Sequence, residues 1–408
     1  MLKKYCKTST ETADLFVGIR FIEGVPEVVF PHGYHLVDED KECRKDIFRL
    51  IAVLQKFTEH KEGNTSRDTN GIITSLPISS YQYLIQDYLA HGYYTEKEIK
   101  YVSSQRGKIS WKRTIQQEQA QIDNGNVVYL SFQVKTNRIN SNNLISKIHK
   151  YCVYICFLRF GWLYFDRDYI PEKPEISFNK KLFLEALLQA LNDTYNDQKR
   201  KLFQSMINII KEYEDDIRIK YTAIGVNRFD PIWERLIEYV FGEDNKDRYF
   251  PHATWHIIMN GKIEQSSALE PDTIMKNNGK IYVLDAKYYK YGLTGWTNDL
   301  PATSSIQKQI TYGKHIAEQF DDIDSNEVYN AFIMPFDAEG GKLLKFVSVG
   351  TADWEKYNSD TKNYAYVLGM LLDTKHLITE YVKHNQSEID YLAENIESSL
   401  QFYRSITE

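Results

Sequence analysis

EPDTIMKNNGKIYVLDAK, residues 270–287 of a 408-residue chain, is the stretch that decides the predicted fold. The apolar runs Leu269–Ile274 and Gly279–Ala286 predict two strands. The dipeptide Asn278-Gly279 lies between the two runs and is typical of a two-residue hairpin turn, because both residue types tolerate positive φ. The sequence therefore predicts an antiparallel β-hairpin at this point.

Charged side chains gather at the open end of this hairpin. Asp285 and Lys287 are two residues apart on one strand and so face the same side, and the hairpin can bring Asp272 beside them. Carboxylate oxygens are the ligands that Mg²⁺ prefers, and a nearby ammonium group can polarise a water or offset charge on a reacting phosphate. The spacing alone is a weak signal, and it is the predicted hairpin that favours a magnesium site. An edge hairpin that carries solvated charges is the alternative.

The segments Pro271-Asp272 and Asp285-Ala286-Lys287 resemble the motif of the PD-(D/E)xK nucleases. The resemblance implies an α/β fold whose C-terminal core is a restriction-endonuclease-like mixed sheet flanked by helices. It also implies that Asp272, Asp285 and the backbone carbonyl of Ala286 bind Mg²⁺, for which Mn²⁺ can substitute. Lys287 would then orient the attacking water.

A helix with well-marked ends is predicted before the hairpin, over Phe229–Gly242. Asp230 suits the cap position, Pro231 the first helical position and Gly242 the stop. One face of this helix is apolar: Phe229, Ile232, Trp233, Leu236, Ile237, Val240 and Phe241. Nucleases of the resembled class often supply a further acid from their first core helix, which implies that Glu234 completes the metal site. A boundary glutamate paired with a lysine is the alternative.

A second helix, Ser305–Phe320, and a buried strand, Val328–Met334, are predicted after the hairpin. The core face of the helix is expected to consist of Ile306, Ile310, Gly313, Ala317 and Phe320. Gln309 and Tyr312 fall together on one flank. The resemblance implies that Gln309 positions Lys287 or a phosphate and that Tyr312 contacts DNA. Helix, hairpin, helix, strand is the order that the nuclease core requires.

The rest of the chain is predicted to contain further strands and helices. Strands are expected over Leu15–Glu23 and Glu27–Phe30, and helices over Asp38–Phe57, Ser79–His91, Leu144–Phe165, Lys181–Tyr213 with a break near Asn192–Asp197, Asn363–Lys383 and Ser387–Tyr403. Thr58–Asn70 is polar and is expected to be a loop. Two prolines in Asp166–Phe178 predict a boundary between an α+β N-terminal domain, 1–170, for docking to a partner or to DNA, and a nuclease domain, 171–408.

The charge of the chain provides no overall attraction to DNA, because the formal net charge is −6. Basic residues do cluster in Gln105–Ile115, which is predicted to be a turn followed by a strand with alternating basic side chains. Arg106, Lys108, Lys112 and Arg113 are therefore candidate DNA contacts. A solvated charged face is the alternative.

Other kinds of site find little support in the sequence. It contains no glycine-rich phosphate loop ending in Lys-Ser/Thr, no Gly-x-Ser-x-Gly and no His-Glu-x-x-His. Cys152 and Cys156 are predicted to be buried thiols, and His252 and His256 to be structural. No apolar signal region is present at the N-terminus, and Tyr151–Leu158 is far shorter than the ~20 residues of a membrane span. A reducing cytoplasm is expected.

Two parts of the chain together resemble the LlaJI-type restriction endonucleases, relatives of the nuclease subunit McrC. One is RGKISWKRTI at 106–115, and the other is the core with Asp272, Asp285, Lys287 and Gln309. The resemblance implies cleavage of double-stranded DNA in a phage-defence system, activation by a McrB-like AAA+ GTPase, and a nuclease that can dimerise. Two other functions stay open: an autonomous type II restriction enzyme that recognises its own site, and a non-catalytic scaffold with a nuclease fold.

Overall fold

The structure, a computed structural model, describes residues 2–9, 15–58, 72–74, 77–123, 125–140, 143–165, 169–213, 221–320, 323–340, 342, 344–353 and 361–407. Apart from its first residue, the predicted loop Thr58–Asn70 lies outside these ranges. The strands are β1 Cys6–Thr8, β2 Val17–Ile22, β3 Val25–Phe30, β4 Ile72–Thr74, β5 Glu96–Ser104, β6 Lys108–Ile109, β7 Ala120–Asp123, β8 Asn126–Tyr129, β9 Phe132–Asn140, β10 Tyr221–Val226, β11 Thr254–Ile257, β12 Lys262–Gln265, β13 Thr273–Asn277, β14 Lys280–Ala286, β15 Val328–Phe336, β16 Phe346–Asp353 and β17 Tyr366–Asp373. The α-helices are α1 Asp40–Thr58, α2 Ile78–His91, α3 Trp111–Gln117, α4 Leu144–Tyr164, α5 Lys180–Asn192, α6 Asp197–Glu212, α7 Asp230–Phe241, α8 Tyr291–Thr294, α9 Thr303–Gln319, α10 Thr374–Thr379 and α11 Gln386–Thr407.

The chain forms two compact units, and their boundaries differ from the predicted one. The first unit combines Met1–Thr74 with Tyr221–Glu408, and the second is Ser75–Lys220. The prolines of Asp166–Phe178 therefore lie inside the second unit. The physical reason is strand pairing, because β10 pairs with β2 in antiparallel register and joins the N-terminal strands to the C-terminal half of the chain.

The first unit contains a sheet in the order β1-β3-β2-β10-β4. The predicted N-terminal strands are confirmed as β2 and β3, which form an antiparallel hairpin. Glu23 and Gly24 turn this hairpin at φ values of 52° and 82°. Phe30, at the end of β3, is fully buried, so the segment that follows β3 starts inside the core of this unit.

A second sheet in the same unit has the order β13-β14-β15-β17-β16 and contains parallel and antiparallel pairs. Its inner pairs β14–β15 and β15–β17 are parallel, and both edge strands are antiparallel to their neighbours. Every residue of β15 is buried, as predicted for Val328–Met334. The helix predicted over Asn363–Lys383 is wrong over Tyr366–Asp373, which forms β17, and is confirmed over Thr374–Thr379, which is α10. A short continuous apolar run fits a strand of a parallel sheet as well as a buried helix, and its periodicity does not separate the two.

Helices cover this mixed sheet. The helices predicted before and after the hairpin are confirmed as α7 and α9, and the last predicted helix is confirmed as α11. All seven residues of the predicted apolar face of α7 are buried. A cluster between α9 and the sheet consists of Tyr249, Ile274, Ile281, Val283, Tyr312, Ile316 and Val328. The fold class is thus mixed α/β, with sheets flanked by helices.

The second unit combines helices α2, α4, α5 and α6 with the sheet β5-β9-β6 and the hairpin β7–β8. Cys152 and Cys156 are fully buried on α4, as predicted. Among the described residues, no helix combines the length and the apolar character that would let it cross a bilayer.

The strand predicted over Gln105–Ile115 is only partly present. Lys108–Ile109 forms β6, but Trp111–Gln117 is the helix α3. Thr114 is fully buried, and its Oγ1 accepts the backbone N–H of Gln133 at 2.9 Å. The helix places Thr114 against β9, a contact that the alternation of basic residues did not reveal.

Candidate active site

The predicted hairpin is present as β13 and β14, and it places the acidic residues. Asn278 and Gly279 turn it with φ values of 49° and 81°, as the two-residue turn requires. The first strand starts at Thr273, later than predicted. The backbone N–H of Leu269 donates to the carbonyl of Pro251 at 2.9 Å, and Pro271 has no N–H to offer a strand.

Two carboxyl groups meet at the open end of this hairpin. Asp272 Oδ2 accepts the backbone N–H of Ala286 at 2.9 Å, and the side chains of Asp272 and Asp285 are within hydrogen-bonding reach of each other. Asp285 is buried, with 6% of its surface exposed. Burial, and then the charge of Asp285, raises the pKa of Asp272 to about 7. Ionisation of both carboxyl groups therefore costs free energy, and a bound cation would offset that cost.

Lys287 lies beside the two carboxyl groups, as predicted. Its Nζ lies 2.5 Å from Asp285 Oδ2. Its backbone N–H donates to the carbonyl of Ile333 at 2.9 Å, which continues the pairing with β15 beyond the end of β14. Burial disfavours the ammonium form, but the carboxyl groups of Asp285 and Asp272 outweigh burial and raise the pKa of Lys287.

Glu234 lies on α7 and is electrostatically coupled to this cluster. The side chain of Glu234 is exposed at the surface. Partial desolvation of its carboxyl group, followed by the charges of Asp230 and Asp285, raises its pKa, and the charge of Lys287 acts in the opposite direction. Asp230 does not cap α7 as predicted. Phe229 occupies the cap position, and Asp230 is instead the first helical residue and forms an ion pair with Arg228.

Gln309 and Tyr312 lie on the buried face of α9, not on the flank where they were predicted. Each is 1% exposed, whereas the predicted core residues Ile306 and Ile310 are half-buried. Gln309 Nε2 donates to the carbonyl of Val283 at 2.6 Å, and Tyr312 Oη donates to the carbonyl of Glu270 at 3.1 Å. Both side chains therefore support the backbone of the hairpin. Tyr312 presents too little surface to serve as the predicted DNA contact.

Gln309→Met is expected to lower the free energy of unfolding by about 0.5–1.5 kcal/mol, because it removes a buried hydrogen bond to the carbonyl of Val283. Chemical denaturation of the full chain measures this change. Gln307→Met is the matched control, since Gln307 is exposed on the same helix and is expected to cost less than about 0.5 kcal/mol. Equal stability of the two variants would contradict the supporting role of Gln309.

The all-oxygen donor set at the hairpin suits a hard cation. Within the described ranges, no group of three or more His, Cys, Asp and Glu side chains could hold a metal ion. The oxygen atoms that would hold such a cation are those of the Asp272 and Asp285 carboxyl groups and of the Ala286 backbone carbonyl. This set fits Mg²⁺, which binds to one or two protein carboxylates and keeps several waters. His252, in a loop, and His256, on β11, belong to no such group.

The structure also identifies residues that the sequence did not single out. Lys308, next to Gln309, is exposed, and its pKa is raised by the hydroxyl of Tyr312 and then by Asp285 and Asp272. Only its position on the helix after the lysine strand could have indicated it. His32 contacts the residues after Lys287, and no sequence signal marks it because it precedes them by more than 250 positions.

The four candidate DNA contacts belong to the second unit and are all exposed. Arg106 lies in the bend before β6, Lys108 on β6, and Lys112 and Arg113 on α3. The guanidinium group of Arg113 lies 4.1 Å from the ring centroid of Tyr101. Arg113 is therefore held by a neighbouring ring, whereas the other three side chains extend from a turn, a strand and a helix.

The comparisons with known proteins agree with the resemblance seen in the sequence. Residues 16–395 match the family described as LlaJI restriction endonuclease. The chain is thus a restriction endonuclease by class, an enzyme that acts on DNA. It belongs to the LlaJI restriction endonuclease family.

A curated relative and a solved structure are among the proteins to which the chain is similar. The type II restriction enzyme BsuMI component YdjA of Bacillus subtilis (strain 168) is 25% identical over 381 residues, which are 86% of this chain and 79% of that protein. A chain in the structure of Thermococcus gammatolerans McrB AAA+ hexamers with bound McrC has a TM-score of 0.36 and 14% identity, over 93% of this chain and 82% of that chain.

Proposed function

We propose that this chain is the Mg²⁺-dependent endonuclease subunit of a restriction system, and that β13-β14-β15-β17-β16 with α7 and α9 is its PD-(D/E)xK core. The observation that carries this proposal is the cluster of Asp272, Asp285 and Lys287 at the open end of one hairpin. Membership of a restriction endonuclease family supports DNA as the substrate.

The proposed chemistry is hydrolysis of a phosphodiester. Asp272, Asp285 and the carbonyl of Ala286 would hold Mg²⁺, or Mn²⁺ in its place, and Glu234 would add a ligand through water. When bound, the ion polarises the phosphodiester and lowers the pKa of water. The ammonium group of Lys287, next to Asp285, holds the attacking water by a hydrogen bond and offsets the negative charge that develops on the phosphate.

The subunit would act together with a McrB-like AAA+ GTPase in the cytoplasm. Two observations support this part of the proposal. The sequence contains no glycine-rich nucleotide-binding loop of its own. The relative from Bacillus subtilis is named as one component of a restriction enzyme, which fits a division of labour between chains. Arg106, Lys108, Lys112 and Arg113 would contact double-stranded DNA from the second unit. A nuclease dimer is part of this proposal, because cutting both strands needs two such sites.

Cleavage of supercoiled plasmid tests this proposal. The reactions contain the purified chain with Mg²⁺, Mn²⁺ or EDTA, each with and without the protein encoded next to it and GTP. We expect cleavage only with a divalent ion, the partner and GTP together. Cleavage at defined sites by the chain alone would favour the autonomous enzyme. Absence of cleavage and of Mg²⁺ binding by calorimetry, with a partner of confirmed GTPase activity, would favour the scaffold.

Glu234→Gln is expected to raise the Mg²⁺ concentration for half-maximal cleavage by roughly 3- to 10-fold, because it removes a negative charge and a water-mediated ligand from the proposed metal site. A titration of cleavage rate against Mg²⁺ measures the change. Glu318→Gln is the control, since Glu318 is exposed on α9, lies 3.8 Å from Lys314 and carries no proposed role in catalysis. An unchanged Mg²⁺ dependence in Glu234→Gln would remove Glu234 from the proposed metal site.

A further inference from the structure

The segment after β3 contacts the chain just beyond the candidate catalytic lysine. His32 is buried, with 3% of its surface exposed, and lies in the same unit as the mixed sheet. Its backbone N–H donates to Tyr288 Oη at 2.9 Å, and its Nε2 lies 3.2 Å from the carbonyl oxygen of Tyr289. The rings of His32 and Tyr288 have centroids 3.8 Å apart. One residue of the N-terminal segment thus contacts both residues that follow Lys287.

The hydrogen bond from the ring of His32 has a defined direction. A carbonyl oxygen accepts only, so Nε2 carries the proton and donates it to Tyr289. Burial lowers the pKa of His32 to about 4, which keeps the ring neutral at neutral pH. A neutral ring with its proton on Nε2 leaves Nδ1 without a proton.

The backbone of Lys287 is held from both sides. Its N–H donates to the carbonyl of Ile333, and its own carbonyl accepts the N–H of Tyr289 at 2.7 Å, which closes a tight turn. This turn links Lys287 to Tyr289, whose carbonyl His32 holds. A shift of Tyr289 would therefore move the backbone that carries the lysine.

The same carbonyl of Ile333 connects Lys287 to α7. Trp233 Nε1 donates to it at 3.2 Å, so the indole and the backbone of Lys287 share one acceptor. The ring of Tyr288 lies 6.1 Å from the ring of Trp233, measured between centroids. The helix that carries Glu234 and the turn after Lys287 therefore meet beside His32.

His32 is itself anchored and can transmit this constraint. Thr374 Oγ1 donates to the carbonyl of His32 at 3.2 Å. The next residue, Gly33, has a φ of 75°, and a Cβ placed there would lie 2.6 Å from Thr374 Oγ1. A segment packed this tightly has little freedom to move.

We propose that His32 is a positioning residue for Lys287, which holds the turn at Tyr288 and Tyr289 and so sets the place of the ammonium group relative to Asp285. This inference rests on the nuclease function proposed above. It adds to that function a residue from the segment after β3, which acts through the turn at Tyr288 and Tyr289. A displacement of the lysine by about 1 Å is enough to reduce the rate strongly while the affinity for DNA stays the same.

The test compares His32→Leu with His32→Gln, in which the amide replaces the donor at Nε2. His32→Leu is expected to lower kcat by about 10- to 100-fold with KM for DNA changed less than about 2-fold. His32→Gln is expected to recover kcat to within about 3-fold of the wild type. His252→Leu is the control, because His252 is an exposed histidine of the same unit that makes no contact with His32 or its anchor, and this variant is expected to keep kcat.

The possible results separate this inference from the proposed function. Wild-type kcat in His32→Leu, together with an inactive Lys287→Ala, would overturn the positioning role alone. Equal cleavage by the wild type and by Lys287→Ala would overturn the nuclease site, and the positioning role with it. If His32→Leu does not fold, Tyr288→Phe decides, since it removes only the hydroxyl; we expect kcat to fall about 3- to 10-fold, and an unchanged kcat would overturn the inference.

Discussion

Asp285→Asn is expected to lower the rate of DNA cleavage by about 10³-fold or more, with an almost unchanged unfolding temperature. Asp285 Oδ2 forms an ion pair with Lys287 Nζ at 2.5 Å, and the Asp285 side chain lies within hydrogen-bonding reach of Asp272. Asparagine keeps the volume but removes the negative charge, so the proposed metal loses a ligand and the lysine loses its counter-charge. Plasmid cleavage under the activating conditions measures the rate.

A control variant shows whether the loss of any carboxylate from this unit reduces cleavage. Asp390→Asn removes a carboxylate from the exposed face of α11 and is expected to cleave at the wild-type rate. Mg²⁺ binding by calorimetry should be weaker in Asp285→Asn than in Asp390→Asn. Full cleavage activity in a folded Asp285→Asn variant would remove Asp285 from the catalytic site and leave the scaffold as the better explanation.

Arg159→Met is expected to destabilise the second unit by about 3–5 kcal/mol, because it leaves a half-buried carboxylate without its partner. Arg159 Nη1 lies 2.6 Å from Glu212 Oε2 and donates to Tyr81 Oη at 2.8 Å. Tyr81 Oη in turn donates to Glu212 at 2.9 Å. These three groups join α2, α4 and α6. Hydrogen exchange of peptides from these helices measures the local free energy of opening.

A surface ion pair in the same unit provides the comparison. Lys181 and Glu185 lie 4.0 Å apart with side chains 88% and 63% exposed. Lys181→Met is expected to cost less than about 1 kcal/mol, because water and salt screen such a pair. The double variant Arg159→Met, Glu212→Leu should recover most of the loss, since no unpaired charge remains. Equal losses in Arg159→Met and Lys181→Met would show that the triad contributes no more than a surface pair.

Much of the candidate site follows from local sequence. Asn278-Gly279 specifies a turn whose φ values few other residue pairs adopt, so the hairpin was predictable. The spacing of Asp285 and Lys287 on one strand then placed both on one face. The apolar face of α7 was equally predictable, because its residues recur with the helical period.

The predictions that were wrong concern features that depend on distant partners. Tyr366–Asp373 was predicted to be helical, yet it pairs with β15 and β16 in the sheet. Trp111–Ile115 was predicted to continue a strand, but it belongs to the helix α3, whose Thr114 contacts β9. The core face of α9 was assigned to its aliphatic residues. Gln309 is buried instead, because the sheet offers the carbonyl of Val283 to its amide.

The sequence by itself determined the hairpin, the acids and lysine at its open end, and the resemblance to a family of restriction endonucleases. Each of these depends on residues close together in the chain or on a short motif. Only the tertiary structure decided that the N-terminal strands belong to the same unit as the candidate active site. It also decided that His32 lies against Tyr288 and Tyr289. Such contacts accompany the pairing of β10 with β2, which joins the N-terminal strands to the C-terminal half of the chain. Local propensity and spacing carry no information about a pairing between segments so far apart.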